Sequence, residues 1–451
     1  MRILALGITP PPAAKENPAI TPELLASCLA RYSRSSKGMG AILASIDKSD
    51  PDKSVDAVFR FVDYGHASIG GMTGGIAVVI DGCSMFLAYK LFELAQFADG
   101  QESSTRYIKL DKSAIPEPEE IGIPAALAGE WREYLDLAFE IYRETVAALE
   151  HAAVENPAIV RVPDGANAKV VERLRRNFAL DRSRYFIPFA TRTNAALVMT
   201  ARAWAETVKQ LDSWPLPETH ACAEGLRREL VKFVPRLMRH SMPDEASSAQ
   251  ARCAIDAAVS RIATGGVSVD AAPDKVAVSL DTAFPAFLPP QQSLRDAFLG
   301  KENRYSIAGS GVRRIMVRAS WNNMAIAELR DLNRHRTGYR FSPLIPAGFY
   351  LPPGIVHPKL DALRAAMRSV IGKLAARGDG SAAYVYGLLL GTQVPFEHST
   401  HLDKFIYEIE LRTGMGAHFR YAEHLAAANR ELLRAMPGLA PYIEVGSAEP
   451  E

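Results

Sequence analysis

Glu102-Ser103-Ser104-Thr105-Arg106-Tyr107 closes a helix-like apolar stretch in the first half of this chain, and Arg334-His335-Arg336 closes another in the second. In the first stretch, alternation is expected to put Glu102, Ser104 and Arg106 on one face of an extended segment. Carboxylate, hydroxyl and guanidinium would then offer an acceptor, a donor/acceptor and a phosphate clamp. The plainer reading is a solvated loop with a capping serine. In the second stretch, two arginines flanking a histidine present several fixed N–H donors to phosphate oxygens. Each such charge-assisted bond contributes about 1.5–3 kcal/mol net. The plainer reading is a basic helix end that complements its own dipole.

The bulk of the chain narrows the classes. At 451 residues it is long for one domain and comfortable for two. Hydrophobic content of 48% and charged content of 23% fit an ordinary globular protein. A net charge of +1 gives no basic field for a nucleic-acid polymer, so any anion site must be local. The apolar run Met1–Gly7 is short for a signal peptide and Pro10-Pro11-Pro12 interrupts it, and no uninterrupted apolar run reaches membrane-spanning length. A cytoplasmic protein without membrane partners is expected. Cys28, Cys83, Cys222 and Cys253 are scattered, which supports neither a metal site nor a disulfide framework.

Periodicity sets the expected organisation. Helices are expected over 22–36, capped by Thr21, and over 52–64, with Val55, Val58, Phe59 and Val62 inward. The β-branched run Gly75–Asp81 reads as a buried strand, and 84–98 returns to helical spacing. Residues 124–153 and 166–180 read as amphipathic surface helices, and 194–211 and 219–238 as a helical tail to the first half. His220, Glu224 and Arg227 on that tail read as structural or surface pairs. A composition shift follows, with Ser-Met-Pro, Gly-Gly and Pro-Pro-Gln-Gln over 241–293 and a strand-like Lys275–Leu280 inside it. The expected domains are 1–240 and 273–451, joined by a junction at 241–272. The second half repeats the order of the first: a strand at Ile315–Ser320, a helix at 321–333, the Arg-His-Arg turn, a loop at Pro343–Pro353, then helices at 358–377, 401–412 and 416–435.

Placed together, the two opening stretches resemble the two ends of the Arg-His-Arg…Ser signature of the flavin-dependent thymidylate synthases. Further segments are similar. Ala26–Ser33 resembles the family's N-terminal helix, Gly65-His66-Ala67-Ser68 its Gly-His-x-Ser turn, and Arg184-Tyr185-Phe186-Ile187-Pro188 its Arg-x-x-Leu-Pro. Thr200-Ala201-Arg202-Ala203-Trp204 resembles its Asn-x-Arg-Ala-Trp flavin segment. The departures are Gly71-Met72 for Glu-His, Thr200 and Glu206 for two asparagines, and Leu344 where the family's serine follows Arg-His-Arg.

Each half keeps what the other lacks. Counting back from Glu102, the family's Arg-His-Arg falls on Leu94-Ala95-Gln96, which cannot clamp a pyrophosphate. The arginine that polarises the uracil in the family is Leu211 in the first half and Arg412 in the second. The counterpart of Arg-x-x-Leu-Pro around Tyr386–Gly391 is apolar. The resemblance therefore implies one composite site. Glu102, Ser104, Arg106, Arg184 and Arg334 would bind substrate; His66, Ser68, Arg202, Arg334, His335 and Arg336 would bind the cofactor; Arg412 would be catalytic; no metal is implied. It also implies an α+β fold in two tandem copies, each an antiparallel sheet flanked by helices, arranged as a pseudo-dimer that pairs into a homodimer. The implied chemistry is reductive methylation of dUMP or a related pyrimidine nucleotide, with FAD bound and methylenetetrahydrofolate and NADPH as co-substrates. The alternative is a flavin-free nucleotide-binding or scaffold paralogue, motivated by Gly71, Met72, Thr200 and Glu206. The Pro- and Gly-rich loop 337–353 leaves a changed substrate open.

Overall fold

The computed structural model describes residues 1–8, 21–32, 39–47, 49–59, 74–95, 98–106, 108–333, 335, 338–378, 381–414 and 417–446. It divides into two compact units. The first comprises Met1–Ser103, Pro116–Gly122 and Arg192–Asp256; the second comprises Ser104–Ile115, Ile123–Thr191 and Ala257–Glu451.

In the first unit, β1 (Arg2–Ile8) is followed by helices α1 (Pro22–Tyr32), α2 (Met39–Ala44) and α3 (Pro51–Phe59). Then come β2 (Ile76–Ser84), α4 (Met85–Leu94) and β3 (Asp99–Glu102). The chain returns to this unit with β4 (Arg192–Met199), α7 (Ala201–Asp212) and α8 (Pro217–Leu230), having supplied α5 (Ala125–Glu155) and α6 (Ala168–Ser183) to the second unit. The four strands form an antiparallel sheet in the order β1-β2-β4-β3. Ile76, Val78 and Ile80 point into the core while Ala77 and Val79 are half-buried, the period-two pattern of a sheet with one packed face. The step from β2 into α4 is fixed by Ser84: its Oγ accepts from Leu87 N at 2.9 Å and donates to Glu218 Oε2 at 2.7 Å.

The second unit begins its own sheet after α9 (Glu245–Gly265) with β5 (Val276–Asp281) and β6 (Met316–Ala325). Then come α10 (Ile326–Leu332), β7 (Tyr339–Phe341), β8 (Gly348–Phe349) and α11 (Leu360–Ala375). β9 (Thr392–His401), α12 (Leu402–Thr413) and α13 (Phe419–Ala435) complete it. This sheet is also antiparallel, in the order β5-β6-β9-β7, with β8 added on β9. With the two-residue β8 set aside, both sheets run first–second–fourth–third. In both, a helix follows the second strand and two helices follow the fourth. A shared strand order with a shared crossover is strong evidence of an internal repeat, and it agrees with the α+β fold in two tandem copies. Within the second unit, the segments that lead into β4 and β9 pair antiparallel around Pro188 and Leu389, with Phe189 N donating to Leu388 O at 2.8 Å and Leu390 N to Ile187 O at 2.8 Å.

The structure corrects several expectations. Residues 194–199, expected to begin a helix, belong to β4. Thr193, Ala195, Leu197 and Met199 alternate inward, and pairing with β2 overrides the helical propensity of the alanines. Residues 321–325 continue β6 instead of starting a helix, so the helix there is only Ile326–Leu332. The stretch 245–265, rich in Ser and Ala, is helical. Strands β1 and β9 were not expected at all. β9 is central yet contains Pro395, which sits where the β6–β9 register shifts between Trp321 and Met324, so its missing N–H interrupts a ladder already broken. His220 and Arg227 do form surface-type pairs, both on Asp212. Among the described residues no helix is long and apolar enough to cross a membrane.

Trp204 is fully buried in the first unit and its Nε1 donates to Ile76 O at 2.9 Å. Trp204→Ala is expected to destabilise this unit by about 3–5 kcal/mol, read as a fall in its urea midpoint. A change below about 1 kcal/mol would contradict this packing.

Candidate functional site

α10 is a short helix buried on every side although it carries Glu328, Arg330 and Asp331. Buried charges persist only when paired, and the partners here come from distant parts of the chain within the second unit. Arg184, at the end of α6 and 2% exposed, has Nη1 at 3.5 Å from Asp331 Oδ2 and Nη2 at 3.7 Å from Glu328 Oε1. Burial alone would lower the Arg184 pKa; Asp331 and the other acidic neighbours outweigh it and hold the guanidinium charged. Tyr185 Oη donates to Glu328 Oε1 at 2.6 Å. Burial pushes the Glu328 carboxyl up to about 7, against the pull of Arg184 and the Tyr185 hydroxyl.

Arg106 is closed by a bidentate partner. Its Nε lies 3.0 Å from Asp181 Oδ1 and its Nη2 3.1 Å from Oδ2, with both residues buried. The extended run expected for Glu102–Arg106 ends at Glu102. Thr105 and Arg106 turn, Ile108 N donates to Ser104 O at 3.2 Å, and Ser104 Oγ accepts from Arg106 N at 3.3 Å. The turn, rather than strand alternation, aims Arg106 at α6.

His335, just beyond α10, is buried and neutral: burial pulls its pKa down to about 3 in spite of Glu408. Arg412 Nε donates to His335 Nε2 at 2.7 Å and Arg412 Nη2 to Asp331 O at 3.4 Å. Asp331 therefore joins Arg184, through its carboxylate, to Arg412, through its carbonyl. Arg412 is the eleventh residue of α12, and Leu211, fully buried, is the eleventh of α7, the helix at the same place in the other repeat. The same backbone position thus carries a cation in one copy and a core residue in the other.

Arg412 and His335 line a cavity of about 460 Å³ in the second unit. Its walls carry Lys301, Arg304 and Lys404, two tyrosines, Tyr305 and Tyr407, with ring centroids 6.0 Å apart, and the carboxylates of Asp403 and Glu410. Lys301 is held by Glu410, and Arg304 Nη1 donates to Glu410 O at 3.2 Å. A concave site with aromatic faces and several cations suits a planar anion.

Arg106, Arg184, His335 and Arg412 are therefore brought into one unit, and Ser104 lies in it too. Glu102, at the end of β3, and Arg202, at the start of α7, belong to the first unit. His66, Ser68, Arg334 and Arg336 lie outside the described residues, as do Gln96, Gly71 and Met72. Sequence reasoning missed Asp181, Glu328 and Asp331. The available signal was the pair Glu328-x-x-Asp331 inside an apolar helical run. It also missed the cavity residues between Phe298 and Ala308, for which no pattern pointed to a site. Among the described residues no group of His, Cys, Asp and Glu could hold a metal ion.

The folded protein keeps the Glu328 proton at pH values where the unfolded chain has released it. Its contribution is therefore present below about pH 4.5 and lost as pH rises to about 7, a swing of about 3 kcal/mol. The stability of the wild type relative to Glu328→Gln is expected to fall over that window, measured by denaturant unfolding at a series of pH values. A difference that is flat or rises with pH would contradict the assignment.

Comparison with known proteins finds similarity in about half of the chain. Residues 19–236 match the family model described as thymidylate synthase complementing protein. The UPF0159 protein Ta1429 of Thermoplasma acidophilum is 23% identical over 234 residues, covering 47% of this chain and 47% of that protein, so the match spans about half the relative's length. A crystal structure of the flavin-dependent thymidylate synthase ThyX of Helicobacter pylori, complexed with FAD and dUMP, aligns over 54% of this chain and all of its own at 18% identity, with a TM-score of 0.32.

Proposed function

From the match of residues 19–236 to the family model of thymidylate synthase complementing proteins, we propose that the chain binds a pyrimidine nucleotide, dUMP by default, and methylates it reductively as a homodimer. Methylenetetrahydrofolate is the carbon donor, FAD the cofactor and NADPH the reductant of this proposal. What supports it is convergence: Arg106 and Arg184 from the first half of the sequence lie in one compact unit with His335 and Arg412 from the second half; Asp331 links Arg184 to Arg412, Arg106 closes on Asp181, and His335 and Arg412 line a cationic, tyrosine-bearing cavity.

The residues present fit anionic ligands. Arg184 Nε and Nη2 are buried without a hydrogen-bond acceptor among the described residues, and buried donors call for one. Lys301, Arg304 and Lys404 would hold the phosphates of a flavin cofactor, and Tyr305 and Tyr407 offer aromatic faces in the same cavity. Reduced flavin supplies the hydride of such a reaction, so the protein needs no nucleophile of its own. The thiols agree: burial pushes Cys83 and Cys222 up, away from thiolate. Arg412 is the residue that meets the uracil. A fixed guanidinium at a carbonyl oxygen stabilises the negative charge that builds on the ring as its carbon becomes nucleophilic.

A second reading has its own observation. Arg106 is closed on Asp181, and Arg184 is flanked by Glu328 and Asp331. Guanidiniums already neutralised are poor phosphate clamps, which favours a paralogue that binds nucleotide in the cavity without flavin chemistry. Release of tritium from dUMP labelled at carbon 5, in the presence of FAD, NADPH and methylenetetrahydrofolate, separates the two. The first reading expects release, reduced roughly 100-fold in Arg412→Ala and unchanged in Gln96→Ala. Binding of dUMP with no release in the wild type would establish the second.

A further inference from the structure

Arg412 does not reach the cavity as a free side chain. Its Nε–H is spent on His335 Nε2 at 2.7 Å, so the His335 hydrogen must reside on Nδ1. That nitrogen faces Glu408 Oε1 at 3.7 Å, a Coulombic contact and not a hydrogen bond. Glu408 is 2% exposed and sits one turn before Arg412 on α12. It is held on its other side by His398 Nε2 at 3.1 Å, and His398 Nδ1 lies 3.2 Å from Tyr339 O. The chain of contacts runs from the sheet edge through His398, Glu408 and His335 to Arg412 and ends at the cavity. Arg412 Nη1 makes no hydrogen bond among the described residues, which leaves it available to a ligand.

We infer that Glu408 is a positioning residue, which acts through the Nδ1–H form of His335 to fix the Arg412 guanidinium in the cavity wall. Its role rests on the reading of Arg412 as the residue that meets the nucleotide; the geometry of the relay does not. An arginine on four rotatable bonds loses its fixed aim unless its Nε is captured. His335 can capture it only while neutral and in that tautomer. The carboxylate of Glu408 beside Nδ1 favours that tautomer over its alternative. The titratable and charged groups around His335 are Glu408, Arg412, His398 and Arg340, and burial with the two arginines outweighs Glu408 in keeping the ring uncharged.

The test uses the full chain labelled with nitrogen-15. The expected wild-type spectrum shows His335, identified by its loss in His335→Gln, as the Nδ1–H tautomer across about pH 5 to 8, and a sharp, slowly exchanging Arg412 Nε–H signal. Glu408→Gln is expected to broaden that arginine signal with the rest of the spectrum kept, and to weaken dUMP binding roughly tenfold, with Glu408→Asp restoring most of it. If Glu408→Gln does not fold, Glu408→Asp and the wild-type spectrum decide. His335 found as the Nε2–H tautomer, or an arginine signal and dUMP affinity indifferent to Glu408→Gln, would overturn the relay. A wild type that binds no dUMP but shows the Nδ1–H tautomer and the sharp arginine signal would remove the nucleotide reading and leave the relay standing.

Discussion

The pairing of Arg184 with Asp331 and Glu328 is the constraint on which the second unit's interior depends. Neither side could be buried alone: an uncompensated charge in such a place costs several kcal/mol, while a paired one roughly breaks even with an apolar substitute. The pair therefore does little for stability as such. What it does is specify. It ties the end of α6 to α10, and because the Asp331 carbonyl also receives Arg412, it fixes the start of the turn that holds His335 and the end of α12. A site assembled from distant segments needs such joints, since local structure cannot bring Arg184 and Arg412 together.

The repeat explains why these joints are lopsided. Both sheets share strand order and both carry a helix pair after the fourth strand. The position that is Arg412 in one copy is Leu211 in the other, buried in a hydrophobic core. Once two copies are on one chain, each position exists twice and only one of each pair must keep its chemistry. The other is free to become core. On the proposed function, the complementary pattern of arginines in the sequence is what such relaxation would leave behind, with one working site per chain.

Much of this was legible beforehand, and the failures have causes. Long amphipathic helices such as α5, α11 and α13 announce themselves by their period, because most of a helix's signal lies in its own sequence. β4 and β9 did not. Asn194-Ala195-Ala196 reads as helix until β2 is beside it, and Pro395 argues against a central strand until the register break is seen. Of the site, the cations were visible and their carboxylates were not. Arg106, Arg184, His335 and Arg412 could be matched to motif positions, whereas Asp181, Glu328, Asp331 and Glu408 matter only because they are buried next to those cations. Burial of a charge is a tertiary fact. The cavity was invisible for the same reason, since Tyr305 and Tyr407 stand a hundred residues apart and meet only in the fold.

The claim that one composite site survives is open to a direct count. Purified protein is incubated with FAD, desalted, and its absorbance near 450 nm set against protein concentration. One flavin per chain is the expected result. Two per chain would mean that the mirror site is intact, and none would mean that the fold has outlived its flavin chemistry.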